Sequence, residues 1–218
     1  MQSNKTSVAV VTGAHPYDVS SFQAMFRAMP EVDVYPQSLE DFVMDTGGGY
    51  ERYDAVVFYN FHQETPSEDG PDWGKAAKRV LERLGESEQG IVMLHHGIAA
   101  FREWPLWSDI GGMANRYFDW YPEATLRMDV AHPGHPVTRG LGSWVMVDET
   151  YVIPEPGEGN EVLLVTDNPK SGRTIAWVRQ YRKARVFCLQ PGHDHRAYDN
   201  AGFREVLSRG ILWVAGKL

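Results

Sequence analysis

The sequence feature that most constrains the fold is a buried-strand pattern that ends in two adjacent histidines. Residues 90–107 read GIVMLHHGIAAFREWPLW, and the uninterrupted apolar run Ile91–Leu94 is typical of a strand covered on both faces of a parallel sheet. His95, His96 and Gly97 follow at once, so we expect the chain to turn sharply from strand into helix. The imidazoles would then lie at the carboxyl end of the strand, where open α/β sheets place their active sites.

This turn has the layout of a nucleophile elbow, a tight strand-to-helix corner that lifts one side chain clear of the sheet. The lifted residue would be a histidine, because no Ser or Cys lies between Leu94 and Ala100. The covalent chemistry of such elbows therefore has no nucleophile here. Two adjacent histidines are often ordinary surface or core residues, but their position after a buried strand favours a functional site.

Composition and charge exclude several classes of protein. The 218 residues fit one large domain, expected to span residues 1–218, and the net charge of -8 without a basic run argues against nucleic acid as a partner. No apolar stretch reaches membrane-spanning length, and residues 1–13 lack the features of a signal peptide, so we expect a cytoplasmic protein with no membrane partner. The single Cys188 excludes an internal disulfide, and its apolar surroundings predict a buried, unreactive thiol.

Strand and helix patterns alternate through the first half of the chain. Strands are predicted at 7–12, 32–35, 54–59 and 91–94, with helices at 20–29 and 73–84. The second half has short strands without intervening helices at 124–130, 144–147, 162–166, 174–178 and 185–190, and then a closing helix at 201–215. This order predicts an α/β fold with a mostly parallel central sheet, Ile91–Leu94 near its middle, and antiparallel additions between Ala124 and Val178.

Most of the histidines follow predicted strands. The last strand runs directly into residues 191–195, PGHDH, which repeats the arrangement after Leu94. Because the carboxyl ends of parallel strands meet at one edge of a sheet, distant imidazoles should become neighbours there. Six of the eight histidines have such positions: His15, His62, His95, His96, His193 and His195.

Seven short motifs, in this order along the chain, resemble the trehalose-utilisation, or ThuA-like, family. They are GIVMLHHGIAAF at 90–101, IGG at 110–112, HPVTRGL at 135–141, VDETY at 147–151, AWVRQYRKARVF at 176–187, GHD at 192–194 and GILWVAG at 210–216. The resemblance runs from the first strand to the last helix. One departure from the family pattern is residues 182–185, RKAR, which replace a glycine-rich turn before the last strand.

The resemblance implies a branch of the class I glutamine amidotransferase-like superfamily, with a flavodoxin-like, three-layer α/β/α fold. Amidotransferases of that class have a Cys at the elbow and a His-x-Glu pair after a later strand. By this comparison the elbow position falls on His96, and residues 193–195 stand where the pair would be. The missing Cys implies that the chain is not a glutaminase, and the family name implies disaccharide or keto-sugar metabolism.

Two chemistries are open to a histidine cluster near Glu149. In one, His96, Glu149 and His193 bind Zn²⁺ or another divalent metal; in the other, His96 and His193 act as acid and base while Glu149 orients one of them. The aromatic cluster Arg116–Pro122 could pack in the core or line a pocket, and packing is the preferred interpretation. Residues expected to contact a hydroxyl-rich sugar substrate are His15, His62, His95, Trp104, Tyr151 and His195.

The sequence thus predicts an enzyme, a hydrolase or lyase, acting on a small sugar-derived substrate, with no nucleotide cofactor and with a homo-oligomer as an option. A catalytically inactive sugar-binding or interaction module is the alternative. A chain that descended from an amidotransferase and lost its activity would also lack the elbow nucleophile.

Overall fold

The computed structural model describes residues 5–218, and this part of the chain is built on one nine-stranded sheet. The strands are β1 Thr6–Thr12, β2 Val32–Ser38, β3 Ala55–Phe58, β4 Gly90–Leu94, β5 Asp119–Val130, β6 Trp144–Val152, β7 Glu161–Val165, β8 Thr174–Tyr181 and β9 Ala184–Leu189. The α-helices are α1 Val19–Arg27, α2 Leu39–Met44, α3 Asp72–Leu81, α4 Pro105–Gly111, α5 His195–Tyr198 and α6 Ala201–Val214.

The strand order is β2-β1-β3-β4-β9-β8-β7-β5-β6, which places β4 near the centre of the sheet. In this spatial order, the strands β2, β1, β3, β4 and β9 pair in parallel. The remaining pairs, β9-β8, β8-β7, β7-β5 and β5-β6, are antiparallel. All five residues of β4 are buried, as a strand covered on both faces requires. The predicted fold class, the central position of Ile91–Leu94 and the antiparallel additions are confirmed.

Helices cover both faces of the sheet. Side chains alternate between the faces along each strand, so a wholly apolar strand makes both faces apolar and both must be covered. Val8 and Val10 of β1 join a core with residues of α1 and α6, such as Phe22 and Ile211. Ala9 and Val11, between them, join the other core with residues of α2, α3 and α4, among them Phe42, Leu81 and Trp107. The three layers of the predicted α/β/α arrangement follow from this alternation.

Two boundaries differ from the sequence prediction in ways that affect the site. Residues 148–151, expected just beyond a strand, lie inside β6, because β5 begins earlier than predicted and its aromatic segment pairs with them, Trp120 opposite Tyr151. After β4 the chain forms a short 3₁₀ helix, His95–Ala99, and only then the helix α4. The short helix α2 had not been predicted.

Cys188 lies in β9 with no exposed surface, so the predicted burial is confirmed. Burial raises the pKa of its thiol far above the ordinary value, which leaves the thiol protonated at neutral pH. Within residues 5–218, none of the helices combines the length and the apolarity that crossing a membrane would need.

Candidate active site

The turn after β4 is strained at His95. This residue has φ of 53°, in the left-handed region that non-glycine residues seldom adopt. Two residues later the backbone passes so close to β3 that a Cβ at Gly97 would overlap the carbonyl oxygen of Phe58. The elbow therefore falls at His95, one residue before the expected His96, because pairing with β9 lasts to Leu94 and the corner follows at once.

The imidazole of His95 is fully buried and lies among several polar groups. Its Nδ1 is 2.8 Å from the carbonyl oxygen of Gln190, which can only accept, so Nδ1 carries the proton in the neutral ring. The lone pair of Nε2 then faces three groups. Their distances are 2.9 Å to Tyr151 Oη, 3.3 Å to His193 Nδ1 and 3.5 Å to Glu149 Oε1.

Glu149 completes a compact group with the two imidazoles. Its Oε1 is 3.5 Å from His193 Nδ1, and one nitrogen or oxygen of each of His95, Glu149 and His193 lies within 4.8 Å of the others. Burial by itself would raise the pKa of Glu149, but its interactions with His95, His193 and Tyr151 outweigh the effect of burial and lower the pKa. Glu149 is therefore ionised at neutral pH.

The turn that carries His193 is held by a buried carboxylate, that of Asp148. Its Oδ2 accepts from the N–H of Gly192 at 2.6 Å, and its Oδ1 accepts from the N–H groups of His193 and Glu149 at 3.2 and 2.9 Å. Burial raises the pKa of Asp148, while His95 and these three donors act against the rise. The sequence predicts no role for Asp148; its position next to Glu149 in the VDETY motif is the signal that it offers.

Two buried phenols support the same turn from another side. Tyr59, just after β3, donates to the carbonyl oxygen of Gly192 at 2.8 Å, and Tyr198 of α5 donates to that of His193 at 2.8 Å. The two hydroxyl oxygens are 2.8 Å apart. Neither phenol is predicted as part of the site, because Tyr59 ends an apolar run and Tyr198 lies in a polar segment, HRAYDN, whose pattern does not indicate a buried hydroxyl. Residues 192 and 193 are thus fixed through both their N–H and their carbonyl groups.

His96 is buried beside the cluster but faces a different set of groups. Its Nε2 donates to the carbonyl oxygen of Tyr59 at 2.8 Å, and its Nδ1 is buried without a hydrogen-bond partner. Burial, and then the nearby His95 and His15, hold the pKa of His96 well below its usual range, so the ring is neutral. The structure therefore groups His95, rather than the predicted His96, with Glu149 and His193.

His15 is the fourth imidazole of this region. Its ring centroid is 4.4 Å from that of His96 and 6.1 Å from that of His193, and its Nδ1 is buried without a partner. Burial lowers its pKa. The expected meeting of imidazoles from distant strands is thus observed for His15, His95, His96 and His193.

Three of the predicted substrate-binding residues lie elsewhere. His62 packs between Trp73 and Phe101, and its Nε2 is 3.3 Å from Glu40 Oε1. His195 is exposed at the start of α5. Trp104 is buried in the core, and its ring makes an edge-to-face contact with that of Phe101 at 5.6 Å between centroids.

A cleft of about 370 Å³ opens beside the cluster, and we call it the histidine cleft. Trp120 in its wall is 57% exposed, so the aromatic cluster at 116–122 lines a pocket in part, where packing had been preferred. Phe61, Phe118 and Pro122 also line it and were not predicted as site residues; the aromatic composition of that segment was the signal for two of them. The complete lining is His15, Phe61, Phe118, Trp120, Pro122, Glu149, Tyr151 and His193.

Comparison with solved structures shows the same fold in several bacterial proteins. A ThuA-like protein from Parabacteroides merdae ATCC 43184 has a TM-score of 0.73 at 20% identity, covering 98% of this chain and 91% of that one. A ThuA-like protein from Bacteroides uniformis ATCC 8492 has a TM-score of 0.72 at 16% identity, covering 98% and 93%. A protein described as cytoplasmic from Salmonella typhimurium has a TM-score of 0.65 at 12% identity, covering 95% and 98%.

Comparison with curated proteins gives no match. The family model described as "ThuA: Trehalose utilisation" matches residues 8–214, nearly the whole chain. This chain belongs to the ThuA, or trehalose-utilisation, family.

Proposed function

We propose that the chain is an enzyme that acts as a hydrolase or lyase on a hydroxyl-rich, sugar-derived substrate in the histidine cleft. Membership of the ThuA family supports a role associated with sugar metabolism. The observation that carries the proposal is the convergence of His95, Glu149 and His193 within 4.8 Å beside an aromatic-walled cleft. Trp120 and Phe118 offer flat faces of the kind on which sugar rings stack.

The donor set fits Zn²⁺ or a related divalent ion. Two imidazole nitrogens and one carboxylate oxygen are a common protein ligand set for catalytic zinc, with a further position left open. The hydrogen bond from His95 Nδ1 to the carbonyl of Gln190 is the type of support that metal-bound imidazoles usually have. When bound, such an ion would polarise a substrate oxygen or lower the pKa of a bound water to about 7.

In the metal-free form of the proposal the residues of the chain have distinct parts, because an imidazole nitrogen that holds a metal cannot also carry the exchanged proton. His95 is buried and held at both nitrogens, so it orients the cluster and does not exchange protons with the substrate. The side chain of His193 is 29% exposed and lines the cleft, so it is the residue placed to transfer a proton to or from a substrate hydroxyl. Glu149, 3.5 Å from His193 Nδ1, stabilises the imidazolium that such a transfer forms.

A sugar-binding module without turnover is the second candidate. The observation that favours it is the elbow itself, where the strained position holds His95 and no Ser or Cys lies in the turn. The only cysteine, Cys188, is buried in β9 and does not replace the missing nucleophile.

The test combines metal content with turnover. Purified protein is loaded with Zn²⁺, dialysed and examined by elemental analysis, and is then incubated with disaccharides and keto-sugars followed by NMR. We expect conversion of at least one sugar, reduced by about 10²–10⁴-fold in His193→Ala and unchanged in the exposed control His195→Ala. Metal retained by the wild-type protein and lost in Glu149→Gln would support the metal form. Saturable sugar binding without conversion would contradict an enzyme and favour the module.

We also propose a cytoplasmic location and a small-molecule partner. The similar Salmonella protein is described as cytoplasmic, and the net charge of -8 is unfavourable for binding nucleic acid.

A further inference from the structure

A second cleft, of about 880 Å³, lies beside the end of α4 and the turn between β8 and β9. We call it the arginine cleft. It shares the segment 116–122 with the histidine cleft, since Tyr117 lines the former and Phe118 the latter. Neither the proposed function nor the family resemblance assigns it a role. Four arginines line it: Arg102, Arg116, Arg179 and Arg182.

The lining of this cleft is cationic in an acidic chain. Only Glu103 and Asp109 oppose the four arginines, so the lining carries a formal charge of 4 − 2 = +2 while the whole chain carries -8. Among residues 5–218, no carboxylate lies within the 4.0 Å ion-pair distance of any of the four guanidinium groups. Arginines elsewhere, such as Arg83 and Arg196, do form such pairs.

Two of the four arginines are occupied by the protein itself. Arg116 is buried and donates to the carbonyl oxygens of Phe101 and Arg102 at 2.5 and 2.9 Å, so it fixes the wall of the cleft. Burial lowers its pKa to about 10, which still leaves it charged at neutral pH. Arg182 donates through Nη1 to the carbonyl oxygen of Glu82 at 2.9 Å. Both guanidinium groups therefore contribute positive potential to the cleft from fixed positions.

The other two arginines have unused donors. Within the described part of the chain, the terminal nitrogens of Arg102 and Arg179 make no hydrogen bond. Arg102 is nevertheless held in place, with its Cζ 4.7 Å from the centre of the Tyr117 ring. Arg179 is held by close packing, since its Nη1 occupies the space that a side chain at Gly112 would need. Each guanidinium is thus held in position, and the Nε of each is buried without a hydrogen-bond partner, so donors remain for a ligand.

We propose that the arginine cleft binds a small organic anion through a phosphate or carboxylate group, with Arg102 and Arg179 as its direct ligands. The guanidinium fork matches both groups through paired charge-assisted hydrogen bonds. The volume lies in the range of about 300–1,000 Å³ typical of small-molecule sites. Arg182, in the turn that departs from the family's glycine-rich pattern, adds to the positive potential. This proposal does not depend on the function proposed for the histidine cleft.

Isothermal titration calorimetry on the full chain tests the proposal, with inorganic phosphate and citrate as separate probes in chloride buffer at constant ionic strength. We expect saturable one-site binding of at least one probe, and the tighter one identifies whether phosphate or carboxylate is the preferred group. Arg179→Gln and Arg102→Gln should each weaken binding by about tenfold or more, as loss of charge-assisted hydrogen bonds requires. Arg179→Lys should also weaken it, because an ammonium cannot form the paired contact.

The matched control is Arg27→Gln, which removes the same charge from an exposed position at the end of α1. It should leave binding unchanged, and circular dichroism should show all variants folded. The proposal is overturned if neither probe binds saturably, or if Arg27→Gln weakens binding as much as Arg179→Gln. It is also overturned if Arg179→Lys binds the probe as tightly as the wild type. Positive charge alone would then account for the binding, without paired hydrogen bonds from a guanidinium.

Discussion

Asp148 is the residue whose single side chain organises most of the histidine cleft. Its carboxylate has no exposed surface and accepts from three backbone N–H groups, two of which belong to His193 and Glu149. A buried carboxylate with several donors cannot be altered without leaving some of those donors unpaired. Asp148 is therefore a positioning residue for both members of the cluster.

Asp148→Asn is expected to lower the free energy of unfolding by about 2–4 kcal/mol, because an amide replaces one acceptor oxygen with a competing donor. Urea denaturation measures the change. Asp199→Asn, at an exposed position, should shift the free energy by less than about 0.5 kcal/mol. Equal stabilities for the two variants would contradict the role assigned to Asp148.

His96 gives the folded chain a dependence on pH with a definite sign. Its folded-state pKa is lowered by burial and by the neighbouring His95 and His15, so below about pH 6.5 the unfolded chain binds a proton that the folded chain does not. Stability should therefore fall as pH drops through that window. His15 acts in the same direction, since its pKa is also lowered.

His96→Gln should reduce this pH dependence by roughly 1–2 kcal/mol between about pH 6.5 and about pH 5, given a slope of about 1.4 kcal/mol per pH unit for one proton. The amide can still donate to the carbonyl of Tyr59. Denaturant unfolding at both pH values measures the effect, with the exposed His195→Gln as the control. A wild-type pH dependence retained in His96→Gln would show that other groups cause it.

At the scale of elements, the elbow depends on the close approach of the 3₁₀ helix His95–Ala99 to the end of β3. Trp107 of α4 reinforces it by donating from Nε1 to the carbonyl oxygen of Gly97 at 2.9 Å. The left-handed backbone of His95 is sustained by these contacts, because strained conformations persist only where the surroundings over-determine them.

Gly97→Ala should destabilise the fold by about 1–3 kcal/mol or more, because its methyl group would overlap the carbonyl oxygen of Phe58. It should also move the imidazole of His95 and weaken metal binding if the cluster holds a metal. Gly142→Ala is the control, since a Cβ there meets no atom within 4 Å. Thermal unfolding of both variants checks the prediction, and a Gly97→Ala protein as stable as Gly142→Ala would refute it.

At the scale of the whole molecule, the proposed metal ligands come from three distant parts of one sheet. His95 follows β4, Glu149 lies in β6, and His193 follows β9, 98 residues after His95. A site that uses all three ligands forms only in the folded chain. Metal binding should therefore stabilise the folded state of the whole chain by mass action.

Zinc at about 100 times its Kd should stabilise the wild-type chain by about 2.7 kcal/mol, which corresponds to a rise in Tm of roughly 5–10 °C for a chain of this size. Differential scanning calorimetry with and without zinc measures it. His193→Ala should abolish the rise, while His195→Ala should retain it. A rise of the same size in His193→Ala would place zinc elsewhere, and no rise in the wild type would favour the metal-free acid–base form.

The sequence by itself determined the layers and the edge at which the site lies. Apolar runs such as Ile91–Leu94 specify buried strands through their pattern alone, and polar residues that follow parallel strands must meet at one edge of the sheet. The meeting of His15, His95, His96 and His193, and the burial of Cys188, could for that reason be predicted.

Only the tertiary structure decided which atoms meet. A one-residue shift of the corner after β4 turned His95 toward Glu149 and His96 toward the carbonyl of Tyr59, and no periodicity in the sequence distinguishes two adjacent imidazoles. The buried role of Asp148 depends on N–H groups 44 and 45 residues away. Such partners are set by the packing of distant segments, in which a small backbone shift exchanges one hydrogen bond for another. Local residue patterns therefore do not predict which hydrogen bond forms.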